Sequence, residues 1–282
     1  MSIFDLTISP SQIEFILKPG ITITQAYEIT NNSNQEISLN TEVLPFLPQG
    51  NNGSVVYANL SQNPNILFSL NNSDLALGQP FTIAGHTKKQ IVLKIKTSAN
   101  TSLSDYYSTF FVYQNQNLSN NESTFAQANG KIGSHILLSV ANQENPKALG
   151  QIEKFSITPK IKDIFFTPIN FSAQVQNQTN YFFKTSGQIT ITKDNKTIKE
   201  LKLDSQNVLA NYYRRLICQD QNICTISPPL WPGKYIATLS FDSNLNIKST
   251  SVSFFVLPIS PLLFLILTVG IIFILKRSRK YW

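Results

Sequence analysis

The chain has 282 residues, of which only 14% are charged, with a formal net charge of +7. That length suits about two domains of roughly 100 to 200 residues, each able to bury its own core. The charge first suggests nucleic acid or a membrane surface, so its distribution decides. Lys276, Arg277, Arg279 and Lys280 carry four of the 23 basic charges, no acidic residue follows Asp242, and the remaining 19 basic residues face 16 acidic ones. The body is nearly neutral, and nucleic acid is excluded as a partner.

From Ile3 to about Val140 the chain reads as short strands broken by turn clusters, the pattern of a sandwich or barrel. Ile13, Phe15 and Leu17 alternate up to the Pro19-Gly20 turn. Ile21 and Ile23 lead toward Tyr27 and Ile29, and the polar cluster NNSNQ then turns the chain into Ile37, Leu39 and Thr41. Ile91, Leu93 and Ile95 alternate again, and Tyr107, Phe110, Phe111, Val112 and Tyr113 form an aromatic strand. A loop rich in Asn, Ser and Gln precedes Ile136, Leu138 and Val140.

Pro146 and Gly150 mark a linker near residues 141–150. Beyond it, IEKFSIT, INFSAQVQN, GQITITKDNKTIKELKL, GKYIATLSFD and STSVSFFVLP read as strands of a second sandwich, the last running straight into an apolar stretch. Residues 256–275, VLPISPLLFLILTVGIIFIL, hold no charge and have the length of a transmembrane helix. A buried core helix would carry a polar stripe, whereas the apolar half here offers only Thr268 and Gly270. Pro258 and Pro261 suit its entry turn. Basic residues flanking a span prefer the cytoplasm, so Lys276, Arg277, Arg279 and Lys280 place the body outside. Residues 1–20 lack the basic start, apolar core and cleavage site of a signal peptide, so a leader is expected upstream of Met1; a cytosolic tail-anchored protein is the alternative.

The stretches ISPSQIEFILKPGITITQAYEITNNSNQEISLNTEVLPF and AGHTKKQIVLKIKTSANTSLSDYYSTFFVYQ, with Asp105, Tyr106 and Tyr107, resemble the first domain of the bacterial WxL-interacting surface proteins and related single-pass membrane proteins. The segments GKIGSHILLSV, NYFFKTSGQITITKDNKTIKELKLDSQNVLANYYRRL, PLWPGKYIATLSF and VSFFVLP are similar to their remaining strands and membrane-proximal domain. The resemblance implies an all-β fold of two immunoglobulin-like β-sandwich domains followed by one C-terminal transmembrane α-helix. The expected division is residues 1–145, 146–255, 256–275 and a basic cytoplasmic tail at 276–282. It also implies a cell-surface role in binding cell-wall polymer, partner surface proteins or host components, and assigns no binding residue.

Cys218 and Cys224 flank a five-residue polar loop and read as the ends of a hairpin, where an exported protein would bridge them. Two free thiols are the alternative, and no second Cys or His cluster completes a metal site. His86 and His135 sit in no zinc or catalytic spacing. No G-x-S-x-G stands beside an assignable base, and no Gly-rich loop is built for phosphate. Trp231, Pro232, Gly233 and Tyr235 read as a turn needing φ > 0 at the glycine and a tyrosine anchoring a sandwich corner. Ten Asn-x-Ser/Thr triplets, beginning at Asn31, Asn52 and Asn59, indicate a polar, neutral exterior. The chain is therefore read as a non-enzymatic surface binding or scaffolding protein that needs no cofactor or metal. An accessory anchoring subunit of an exported enzyme or secretion complex, or a chaperone-like strand-exchange module, is the alternative.

Overall fold

The computed structural model describes residues 5–57, 62–114, 130–147, 149–165, 168–219, 223–227, 230–242 and 245–278. The chain divides into two compact units, Met1–Pro146 and Lys147–Trp282.

The first unit consists of β1 (Leu6–Ser9), β2 (Gln12–Leu17), β3 (Thr22–Asn31), β4 (Ile37–Pro45), β5 (Leu47–Gln49), β6 (Ser54–Val56), β7 (Ile66–Leu70), β8 (Phe81–Ile83), β9 (Lys88–Thr97), β10 (Ser104–Gln114) and β11 (Lys131–Val140). One sheet runs β1-β3-β9-β7 and the other β2-β11-β10-β4-β8. Period-two alternation puts Tyr27, Ile29, Ile91, Leu93 and Ile95 on the inner face of the first sheet. Leu39, Phe110, Val112, Ile136 and Leu138 meet them from the second. Tyr27 stacks on Phe110 across the sandwich at 4.9 Å between ring centroids. Burial pushes the Tyr27 hydroxyl up to about 12, with the Ser134 hydroxyl opposing the shift.

The second unit contains β12 (Gly150–Thr158), β13 (Ile161–Asp163), β14 (Ile169–Asn177), β15 (Phe183–Lys184), β16 (Gly187–Lys193), β17 (Lys196–Lys202), β18 (Asn207–Val208), β19 (Tyr213–Arg215), β20 (Cys224–Ile226), β21 (Gly233–Phe241), β22 (Thr250–Leu257) and α1 (Ile259–Ser278). Its larger sheet runs β13-β22-β21-β16-β17 and packs on β12-β14-β19, with β20 also pairing β14. Phe171 meets Phe254 edge to face at 6.4 Å, joining the two sheets.

Three devices recur in both units. The opening strand changes sheet at an X-Pro bond: β1 pairs antiparallel with β3, and after Ser9-Pro10 the chain becomes β2, parallel to β11. Likewise β12 pairs antiparallel with β14, and after Thr158-Pro159 the chain becomes β13, parallel to β22. Both X-Pro bonds are cis, and proline, lacking an N–H, cannot continue the ladder it interrupts. A tyrosine hydroxyl donates four residues back in each unit, Tyr106 to the Ser102 carbonyl at 3.0 Å and Tyr235 to the Trp231 carbonyl at 2.8 Å.

The third device is an asparagine clamp. Asn31 is fully buried; its amide donates to the carbonyls of Gln35, Ile83 and Ala84, and its oxygen accepts from the Ser33 N–H and hydroxyl. Asn177 repeats this, donating to the Tyr181 and Val208 carbonyls and accepting from the Thr179 N–H and hydroxyl. Two of the Asn-x-Ser/Thr triplets are thus internal turn clamps and not exterior, because each asparagine satisfies backbone groups that would otherwise be buried unpaired.

The outer face of the five-stranded sheet carries a second small apolar cluster. Phe46 is 3% exposed, stacks on Tyr107 at 5.7 Å and meets the His135 ring at 5.0 Å. The Tyr57 hydroxyl lies 3.0 Å from Thr109 Oγ1, which lies 2.8 Å from His135 Nδ1. Burial lowers the His135 pKa because the imidazolium loses its hydration there.

Several sequence expectations shift. β22 keeps its ladder to β21 as far as Val256, and to β13 as far as Leu257, so the helix begins at Ile259 and not at residue 256. It ends at Ser278, which puts Lys276 and Arg277 in its last turn and not in a tail, and the Lys276 cation there suits the negative end of the helix dipole. Arg279 and Lys280, Asn59 and most of the expected Asn/Ser/Gln loop lie outside the described residues.

Replacing Asn31 or Asn177 by Ala should destabilise its own unit by about 2–4 kcal/mol, since each change strands several buried backbone groups. Urea unfolding followed by amide exchange on β3 or β14 measures this. For His135 the folded-state pKa lies below the unfolded value, so the unfolded chain binds the extra proton first. Stability of the first unit should therefore fall as pH drops below about 6.5, and His135→Gln should flatten that dependence in urea titrations at several pH values.

Candidate functional sites at the helix-bearing end and an open strand edge

β22 and α1 are joined through Pro258 alone, so the final strand of the second unit and the apolar helix form one nearly continuous element. The junction is fixed by a residue distant in sequence. The Asp163 carboxylate, at the end of β13, accepts from the Ser260 N–H at 2.7 Å and the Ser260 hydroxyl at 2.9 Å, and also from the Phe165 N–H at 2.9 Å. Desolvation works to raise this carboxyl, but those donors hold it below the usual carboxylate range. An anion satisfying the first N–H groups of a helix is an N-cap supplied by tertiary contact.

The helix itself carries no buried face. Over Ile259–Lys276 its mean hydropathy is 2.4 and none of its residues is buried, so it is long and apolar enough to cross a bilayer. The Thr268 hydroxyl within it is returned to the Leu265 carbonyl at 2.8 Å.

Next to this junction Lys162 points inward, opposite the buried Val256, and is 1% exposed. Its ammonium makes no hydrogen bond among the described residues. Burial lowers its pKa, with Asp163 opposing. Trp231, Pro232, Gly233 and Tyr235 converge on the same end, since Gly233 is in register with Val256. Gly233 has φ 143°, and a Cβ there would stand 2.8 Å from Lys193 Cε, so both conformation and space call for glycine. Lys193 donates to the Pro232 carbonyl at 2.8 Å. The Tyr235 ring is buried, whereas Trp231 is 81% exposed.

Cys218 and Cys224 are disulfide-bonded, with Cα atoms 4.9 Å apart and both residues buried. They are not facing positions of one hairpin. Cys218 bridges to Leu203, and Cys224 pairs with Phe171 on β14, so the bond ties the rims of different ladders. His86 occupies a turn at φ 56° with Nε2 2.6 Å from Asn34 Oδ1. His135 belongs to the aromatic cluster on the outer face of the first unit. The two histidines are thus in unrelated places, and among the described residues no three His, Cys, Asp or Glu side chains gather as a metal site would require. A groove of about 440 Å³, lined by Gln188, Lys202, Gln219 and Asp242 among others, lies at the end of the second unit away from α1 and is open to solvent.

Sequence reasoning missed an edge in the first unit that is open among the described residues. β11 pairs with β10 along its whole length, but with β2 only from His135 to Val140. The His135 N–H points toward that side, donating to the Ser11 carbonyl at 3.0 Å. Backbone groups of alternate residues point the same way, so Lys131 and Gly133 direct theirs to a position where the described residues place no strand. Phe111 and Lys131 flank it: the Phe111 ring covers Gly133, the Lys131 ammonium sits 3.9 Å from the centroid of that ring, and Lys131 pairs with Glu42. By contrast the edge strand β17 carries Lys196, Lys199, Glu200 and Lys202, which discourage pairing. Only the early end of β2 revealed the gap, and that needed the register.

No protein-family profile matches the chain, and no curated protein is similar to it. Among solved structures, the chain is similar to the E. coli chaperone DraB at 11% identity, covering 89% of this chain and 97% of that one with a TM-score of 0.40. It is likewise similar to the class 5 fimbriae chaperone CfaA, at 10% identity, 90% and 100% coverage and a TM-score of 0.41. The Pseudomonas aeruginosa chaperone CupB2 stands at 8% identity, 89% and 100% coverage and a TM-score of 0.39. The chain is all-β, two immunoglobulin-like sandwiches with one C-terminal apolar helix.

Proposed function

We propose that this chain is a non-enzymatic, single-pass membrane protein that displays two immunoglobulin-like units outside the cell membrane to bind a protein partner or cell-wall polymer. The observation that carries this reading is α1, apolar on every side, exposed along its length and tied to a folded sandwich by the Asp163 cap. A helix of that kind has no stable place in water and matches the hydrocarbon of a bilayer. The basic residues beginning at Lys276 set the orientation, C-terminus inside and body outside. The Cys218–Cys224 disulfide agrees with the oxidising side of the membrane.

A more specific reading follows from β11. Its half-open edge, with the backbone groups of Lys131 and Gly133 outward beside Phe111, suits an extended segment of a protein partner added as a further strand. This makes the first unit the binding module and the second its anchor. Cell-wall polymer would instead be held by side chains on an exposed face.

Protease treatment of intact cells producing the protein should remove the body and leave a C-terminal tag protected, and Cys218 and Cys224 should resist thiol labelling until reduced. A protected body with two readily labelled thiols would overturn the outward topology. For the strand-accepting edge, Lys131→Pro removes one outward N–H at the start of β11 without placing a side chain at the crowded Gly133, and should lower partner capture by the purified protein roughly tenfold or more, with amide exchange on β10 checking that the unit still folds.

A further inference from the structure

The end of the second unit that bears α1 has the composition of a surface meant to touch something apolar and anionic. Trp231 is 81% exposed, Phe165 52% and Leu257 42%, at the end of a domain whose other large side chains are mostly buried. Register and hydrogen bonding bring the segments that carry these three to one end. Leu257 ends β22 next to Asp163 of β13, Phe165 lies two residues beyond Asp163, and the Leu230 N–H donates to the Ile164 carbonyl at 3.3 Å, joining the segment that leads to Trp231 to the one that leads to Phe165. The tight turn between β16 and β17 reaches the same end, since Lys193 donates to the Pro232 carbonyl. It adds Lys193 and Lys196, and Lys234 follows from β21; Lys196 and Lys234 are exposed. Against these three cations stand Asp194 and Asp163, and the latter is already engaged by Ser260.

The length of the helix decides what this surface meets. The 18 residues of Ile259–Lys276 rise about 27 Å at 1.5 Å each, slightly less than the roughly 30 Å of a hydrocarbon core. No slack remains at the N-terminal end, and only Pro258 separates α1 from β22. The Asp163 cap also prevents the sandwich from swinging away on a flexible tether. The headgroup layer therefore begins where the sandwich ends.

We infer that this end is a lipid-docking surface, with Trp231 and Phe165 seated in the headgroup region and Lys193, Lys196 and Lys234 facing anionic lipid phosphates. It rests on the membrane-anchored reading above. Amphipathic indole favours that depth, and lysines near an anionic surface add attraction. Trp231 thus serves twice, its carbonyl completing the Tyr235 corner while its ring leaves the protein.

The test uses the full chain carrying Trp282→Phe, which leaves Trp231 as the sole tryptophan. The protein is placed in nanodiscs of phosphatidylcholine with a quarter phosphatidylglycerol, in which the acyl chains are brominated either near the glycerol or near the chain end. The expected result is a blue-shifted emission that loses roughly half its intensity to bromine near the glycerol and much less to bromine near the chain end, as interfacial indole requires. Replacing Lys196 and Lys234 by Glu should weaken the quenching in anionic discs and leave it unchanged in neutral ones. Unquenched emission at a water-exposed wavelength, from chains that co-purify with the discs, would overturn the docking surface while leaving the anchor intact. If the chains fail to enter discs, the anchor itself falls and the inference with it. Because the Trp231 ring is exposed, Trp231→Ala should keep the thermal transition of the parent and lose the signal.

Discussion

Each of the four larger sheets in this protein has an apolar inner face, and covering that face with another sheet is the requirement on which everything else rests. In the first unit the contact is made by Tyr27 against Phe110, and in the second by Phe171 against Phe254. Burying aromatic and branched side chains at these contacts supplies the main favourable term, and it is met only if the opening strand of each unit serves both sheets. The X-Pro bonds at Ser9-Pro10 and Thr158-Pro159 mark the places where it crosses. The asparagine clamps then satisfy the backbone groups left over at the turns. Repetition of all these features in both units, without evident sequence repetition, shows how strongly sandwich closure restricts the solutions.

The same closure creates the two features on which the proposed function rests. When β2 takes over from β1 partway along the sandwich, it reaches only the later part of β11 and leaves residues 131–134 with one neighbouring strand among the described residues. In the second unit the equivalent crossing strand, β13, ends in Asp163, and its carboxylate reaches the first turn of α1. One topological event thus yields an unpaired edge in one unit and a helix cap in the other. The cap ties the strand-to-helix connection to the sandwich by side-chain hydrogen bonds, so the course of the helix away from the sandwich is set by the fold and not by a linker.

Lys162 is the discordant residue. It points into the core one position before Asp163, where a buried ammonium is unfavourable unless well paired. Its neighbours Val256 and Asp163 belong to the joint, so the strain of burying it falls beside the element whose geometry matters most. Exposed Trp231 is discordant in the opposite sense, as a large ring left outside a closed core. Both irregularities lie where the sandwich meets the helix.

Alternation of apolar residues along Ile91, Leu93 and Ile95, or along Ile136, Leu138 and Val140, determined strands and an all-β fold, because a period of two has one physical meaning. An uncharged apolar run determined the helix, and Gly233 and Tyr235 marked a turn and a corner through local chemistry alone. Other features depended on partners far apart in sequence. The short strands β5 to β8, β13, β15 and β18 to β20 carry too few residues to display a period, and pairing defines them. Asn31 and Asn177 look like every other Asn-x-Ser/Thr triplet until their distant carbonyl partners are in place. The cysteines were legible as a pair, but their ladders were not. Asp163 as a cap, Lys162 as an inward lysine and the open half of β11 came from register, which a single sequence does not contain. Local periodicity decided what the elements are, and long-range pairing decided which groups were left to act.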